Sequence, residues 1–166
     1  MKANFSLSKI DDINLKKYNI TLKNYKNKIN NIINIMLNIK ELKTDKIFNK
    51  NISKIRFDVS FCNNETIHQI NKEYRAKDMP TDVITFSLFC DDENAIIYRK
   101  TADLGQIIVS VERADEQKKE TIEKEVLTLI THGILHLFGF DHLEKKDYDF
   151  VIEMQNIILR KLEKYE

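Results

Sequence analysis

Residues 126–142 constrain this chain more than any other stretch. Val126, Leu127, Leu129, Ile130, Ile134, Leu135, Leu137 and Phe138 leave a helix there with almost no polar face. A helix apolar on most sides is buried on most sides, so this one is expected inside the fold, as a dry and rigid platform. It also carries histidines. His132 and His136 stand four residues apart, on one face and about 40° apart around the helix axis. A continued helix would carry His142 to another side. Gly139 lets the chain leave the helix first, because glycine tolerates the left-handed geometry of a helix C-terminus. His142 can then fold back as a third ligand. Three imidazoles around one zinc ion leave a fourth tetrahedral position open, which is the arrangement of catalytic rather than structural sites.

One element of a familiar pattern is missing. Zinc proteases with paired helical histidines place a glutamate directly after the first, as general base. Here that residue is Gly133. Peptidase chemistry in its usual form is therefore not expected: either the metal serves another reaction, or another residue handles the proton.

The remaining composition sets broad limits. A chain of 166 residues, 42% hydrophobic, is expected to form a single domain spanning residues 1–166. No apolar run approaches the ~20 residues that span a bilayer. The first residues show no secretory signal core, and a cytoplasmic protein is expected. Cys62 and Cys90 lack Cys-x-x-Cys spacing and read as reduced thiols. The net charge of +1 hides an asymmetry, since residues 14–56 hold eleven Lys or Arg against Glu41 and Asp45 alone. Two explanations stand side by side: a polyanionic partner for this third, or lysines that merely solvate a helix face.

Periodicity gives the element order. A first strand is placed between residues 2 and 7. Leu22, Tyr25, Ile29, Ile32, Ile33 and Met36 mark an amphipathic helix over residues 21–39, with Lys23, Lys26 and Lys28 on its other side. Ile55, Phe57, Val59 and Phe61 alternate with polar neighbours as a half-buried strand over 54–61. A short helix over 64–74 and a turn at the only proline, Pro80, follow. Strands are expected over 83–88 and 104–111, joined by a polar loop over 91–102. Ser110 caps a short helix. The histidine helix covers 121–138, and a last helix over 144–164 presents Tyr148, Val151, Gln155, Ile158 and Leu162 on one face. Asp141 caps that helix, orients a ligating histidine, or serves neither role. The class is α+β: a single domain with a mixed four-stranded sheet, packed with helices around the central histidine helix.

The stretch from His132 to His142 resembles the signature of the YbeY family, bacterial single-strand-specific endoribonucleases of ribosomal RNA maturation. A second stretch, Tyr74-Arg75-Ala76-Lys77-Asp78-Met79-Pro80-Thr81-Asp82-Val83, is similar to that family's Tyr-Arg-x-Lys-Asp-x-Pro-Thr-Asp-Val. A third, Leu104-Gly105-Gln106-Ile107, resembles a strand that begins Leu-Gly-Asp-Ile. The motifs keep the family's order and cover about residues 55–159. Three departures stand out: Gln106 in place of Asp, Phe140 in place of Tyr, and Ser87-Leu88 in place of a proline-containing strand end.

The resemblance implies one Zn(2+) held by His132, His136 and His142, a catalytic role for Arg75 with Lys77 nearby, and a metzincin-like fold. It implies metal-dependent hydrolysis of single-stranded RNA in 16S rRNA 3′-end processing, ribosome maturation and quality control. The expected partners are ribosomal RNA and the 30S subunit, with neither DNA nor a membrane. The residue types suit that chemistry. A bound metal makes an oxygen nucleophile available near neutral pH, and Arg75 and Lys77 can neutralise phosphate charge. The first helix's lysines could track a strand backbone. Without the resemblance, an ion pair of Arg75 with Asp78 or Asp82 is the simpler expectation. Two other functions fit the residues: a zinc-containing ribosome-assembly factor with little catalysis, or a metal hydrolase of another substrate class.

Overall fold

The computed structural model describes residues 1–48, 52–88, 97–98, 100–141 and 144–165. In chain order it contains β1 (Lys2–Lys9), α1 (Leu22–Asn38), the four-residue α2 (Asp45–Phe48), β2 (Lys54–Cys62), α3 (Asn64–Arg75), β3 (Val83–Ser87), the two-residue β4 (Ile97–Tyr98), β5 (Thr101–Ser110), α4 (Val111–Gln117), α5 (Ile122–Leu137) and α6 (Lys145–Leu162). Four strands form the sheet in the order β1-β2-β5-β3, and β4 adds a short pairing to β5. β1, β2 and β5 run parallel, while β3 is antiparallel to β5. The sheet is therefore mixed, as the sequence suggested, and β1 and β3 are its edges.

Local chemistry starts the helices where the sequence places them. Thr21 accepts a hydrogen bond from the Asn24 amide, Thr121 from Lys124, and Ser110 from Arg113. Each satisfies one of the amides that a helix start leaves without an intrahelical partner. The alternation of β2 also holds, with Ile55, Phe57, Val59 and Phe61 fully buried. Their opposite neighbours form a polar ladder across the other face. Asp58 accepts from Ser6, Ser60 is 3.0 Å from Ser8, and Arg56 pairs with Asp103.

Part of the expected loop over 91–102 is strand instead. Residues 89–96 and 99 lie outside the described residues. The rest is β4, a tight turn with Lys100 at φ 62°, and the start of β5 at Thr101. The apolar pattern of β5 conceals its first half because the phase changes inside the strand. Ala102 and Leu104 face the core, and so do Ile107 and Val109. A β-bulge makes this possible. Arg56 pairs with Asp103 but Phe57 pairs with Gly105, which leaves Leu104 as the extra residue. One inserted residue shifts the alternation by one and keeps both halves of the strand facing inward.

Helices cover the two faces unequally. α1, α5 and α6 pack on the face of Phe57, Ile107 and Val109 and enclose the main core. α3 covers the far end of the other face through a small cluster of Ile67, Cys62, Ile84 and Ile108. That cover explains why Cys62 is buried despite its outward register. Burial, with Asp11 and Glu112 nearby, pushes its thiol pKa up to about 12, so the thiol stays protonated. Cys90 lies outside the described residues. The central position expected for the histidine helix is found: Ile130, Ile134, Leu135 and Leu137 of α5 are fully buried.

Gly133 explains the residue that a protease would not have. It is buried where α5 meets β5, and an added Cβ would lie 2.8 Å from Cγ2 of Ile107. A glutamate there would be driven into the sheet rather than into a cleft. Gly133→Ala gains about 1 kcal/mol of helix propensity but incurs about 1–3 kcal/mol of overpacking. We expect a net loss of up to about 2 kcal/mol, read by denaturant unfolding, because Cγ2 of a β-branched residue cannot swing aside.

Candidate metal and active site

His132 and His136 project from the same face of α5, and their Nε2 atoms are 3.0 Å apart. The outer nitrogen of each ring faces an acceptor. Nδ1–H of His132 donates to Oε1 of Gln155 on α6, at 3.1 Å. Nδ1 of His136 lies 3.8 Å from a carboxylate oxygen of Asp141. At His132 that acceptor keeps the proton on Nδ1 and leaves the lone pair on Nε2. The two Nε2 atoms thus converge on one point from partly buried rings. Two nitrogens bound to a tetrahedral zinc at about 2.0–2.1 Å stand about 3.3 Å apart. The pair observed here needs to open by only a few tenths of an ångström, so the residues fit a zinc ion.

The turn after α5 forms as its glycine requires. Gly139 has φ 90°. Its amide donates to the His136 carbonyl at 2.9 Å, and the Phe140 amide donates to the Leu135 carbonyl at 3.1 Å. Those two bonds define a Schellman motif, which satisfies the last carbonyls and reverses the chain over them. Phe140 then packs against Phe150, with centroids 5.6 Å apart. The reversal brings Asp141 back over His136. The open alternative for Asp141 is settled against capping, because Glu144 occupies the N-cap position of α6. His142 lies outside the described residues. Among the described residues no group of three His, Cys, Asp or Glu side chains surrounds a single point.

Arg75 is placed differently from the histidines. It ends α3, on the sheet face opposite α5, and is exposed. The ion pairs that seemed simplest for it are not formed. Asp78 is held by His68 at 2.8 Å and Lys72 at 3.0 Å, which together keep its carboxyl below the usual range, Lys72 first. Asp82 accepts from the Val83 amide and from Gln117. Gln106 also lies on the face away from the imidazoles and donates to Ser60 at 3.2 Å. Its neutral side chain therefore does not touch the histidine pair.

The basic first helix lies towards the other end of α5. Lys23 and Lys26 are exposed, and Lys28 pairs with Glu123 at 3.5 Å. Glu123 is about 13 Å along the axis from His132. The side chain at the histidine pair that sequence reasoning missed is Gln155. Its signal was a polar side chain within an apolar helical stripe; it is 8% exposed.

The fold and the site together define an α+β protein with a histidine centre on its central buried helix. The family described as Endoribonuclease YbeY matches residues 11–163. An Endoribonuclease YbeY of Fusobacterium nucleatum is 35% identical over 153 residues, covering 89% of each chain. One of Exiguobacterium sibiricum is 43% identical over 114 residues, covering 64% of this chain and 72% of its own. The solution structure of TM1509 from Thermotoga maritima superposes with a TM-score of 0.56 at 27% identity, covering 96% of this chain and 89% of that one. The chain belongs to the YbeY family of endoribonucleases.

Proposed function

We propose that this chain is a zinc-dependent endoribonuclease that cuts single-stranded RNA, with the 3′ end of 16S rRNA on the 30S subunit as its substrate and the cytoplasm as its location. No helix among the described residues is long and apolar enough to cross a membrane. The observation that carries the zinc requirement is the convergence of the two Nε2 atoms, 3.0 Å apart, with His132 fixed by Gln155. His132 and His136 would hold the ion, with His142 as third ligand. When bound, the ion supplies Lewis acidity that polarises phosphoryl and hydroxyl oxygens near neutral pH.

The chain's own residues do the rest. Gln155 keeps the His132 proton on Nδ1 and fixes the plane of the ring. Asp141, 3.8 Å from Nδ1 of His136, favours a proton on that nitrogen through its charge. Gly133 seats the neighbouring face of α5 hard against β5, so the histidines would stand on a rigid support. Arg75 and Lys77 supply positive charge for the substrate backbone, Arg75 with a planar two-point donor.

Metal analysis of untagged protein, paired with cleavage of a labelled single-stranded RNA before and after chelation, tests the proposal. The expected result is one zinc per chain, activity lost with the metal, and activity restored by zinc. Cleavage that survives complete metal removal overturns it. End-group analysis then identifies the nucleophile. A 5′-phosphate product marks water, and a 2′,3′-cyclic phosphate marks the ribose hydroxyl. Gln155→Leu should lower zinc affinity about 10- to 100-fold, the usual cost of losing the partner that orients a ligating histidine. A competition titration with a zinc-binding dye reads that shift.

A further inference from the structure

Tyr74 is 64% exposed, an unusual place for a large aromatic ring, yet its ring is not loose. It meets the half-buried Phe86 of β3 edge to face, with centroids 5.4 Å apart and planes at 75°. Contact with Phe86 fixes the orientation of the ring and leaves most of its surface in solvent. Tyr74 stands beside Arg75 and close to Lys77, and among the described residues neither cation has a carboxylate partner. The nearest acids are already engaged, Asp78 by His68 and Lys72, and Asp82 by Gln117 and the Val83 amide. The segment after α3 is held in place as well. The side-chain amide of Asn71, which is buried, donates to the Met79 carbonyl at 2.8 Å.

A fixed, solvent-facing ring flanked by uncompensated cations adds little to stability. It does match what an unpaired nucleotide offers: a π-face for the ring and phosphates for the cations. Bases in a duplex are already stacked on both sides and have no face to give. β3 is an edge strand, with Tyr74 and Phe86 on one of its faces and α5 packed against the other. A strand of RNA passing over that edge meets the platform on one side and the histidine helix on the other.

We propose that Tyr74, braced by Phe86, is a stacking platform for one unpaired base of the RNA substrate, with Arg75 and Lys77 on the adjoining phosphates. This rests on the ribonuclease function proposed above and names the residue that makes the site prefer single strands. The full chain is titrated into a fluorescein-labelled single-stranded RNA, with binding read by anisotropy. Wild type is compared with Tyr74→Ala and Tyr74→Phe, and intact RNA with RNAs carrying one abasic residue at successive positions.

Tyr74→Ala should weaken binding by about tenfold to a hundredfold, and Tyr74→Phe should bind as wild type does. At one position the abasic RNA should weaken wild type by a similar factor and Tyr74→Ala no further. A platform that only packs on Phe86 cannot produce that non-additivity. The inference is overturned if Tyr74→Ala binds RNA as tightly as wild type, or if every abasic loss is equal in the two proteins. Wild type that neither binds nor cuts RNA would overturn the ribonuclease proposal itself, a different outcome from cleavage indifferent to Tyr74.

Discussion

His132→Ala is expected to abolish RNA cleavage while leaving the chain folded. Losing a ligand should cost more than the tenfold to hundredfold typical of losing the group that orients it, so activity falls by at least about two orders of magnitude. The stability cost is small by comparison. His132 is only partly buried, and the packing of α5 rests on Ile130, Ile134, Leu135 and Leu137, all fully buried. What the variant leaves behind is the Gln155 carbonyl oxygen without its donor, worth about 1–3 kcal/mol. A single cooperative melting transition lowered by no more than about 10 °C, zinc absent from the purified protein and no cleavage of labelled RNA make up the expected result. His68→Ala is the informative control. It removes a histidine of a different element, one bound to Asp78, and should leave the zinc content unchanged. Undiminished cleavage by His132→Ala would place the chemistry elsewhere.

Gly105→Ala is expected to be the most destabilising single methyl in the described part of the chain. Gly105 sits at the β5 bulge with φ +115°, a conformation that L side chains rarely adopt. An added Cβ would run into the Phe86 carbonyl oxygen and lie 3.0 Å from the Leu88 amide nitrogen. Both obstacles are backbone, so no rotamer change relieves them. Backbone strain of about 1–3 kcal/mol adds to overpacking of about 1–3 kcal/mol, and the total should approach 4 kcal/mol. For a chain of this size that lowers the melting temperature by about 10 °C. The damage also falls at a functional place, because Phe86 braces Tyr74 and β3 lies against α5. A melting temperature within a degree or two of wild type would mean that β3 and β5 do not approach each other this closely.

These two positions differ in how far the sequence betrayed them. His132, His136 and the glycine turn were legible because each depends on interactions within one or two helical turns. Four-residue spacing fixes a shared face, and a helix end with glycine fixes a left-handed reversal. The cap at Ser110 and the alternation of β2 were legible for the same reason. The bulge was not, although the switch from Ala102 and Leu104 to Ile107 and Val109 hinted at it. An extra residue becomes visible only when β2 supplies the register against which it is counted.

By itself, then, the sequence determined the buried histidine helix, its two convergent histidine positions and the turn that follows. All are set by backbone preferences and neighbours a few residues apart. The tertiary structure alone decided that Gln155, twenty-three residues further on, would hold the His132 ring. It also decided that the sheet would lie between Arg75 and α5, and that Tyr74 would be braced by Phe86 yet open to solvent. Those contacts depend on which faces meet once the sheet order β1-β2-β5-β3 is assembled, and long-range packing of that kind leaves no local periodicity to read.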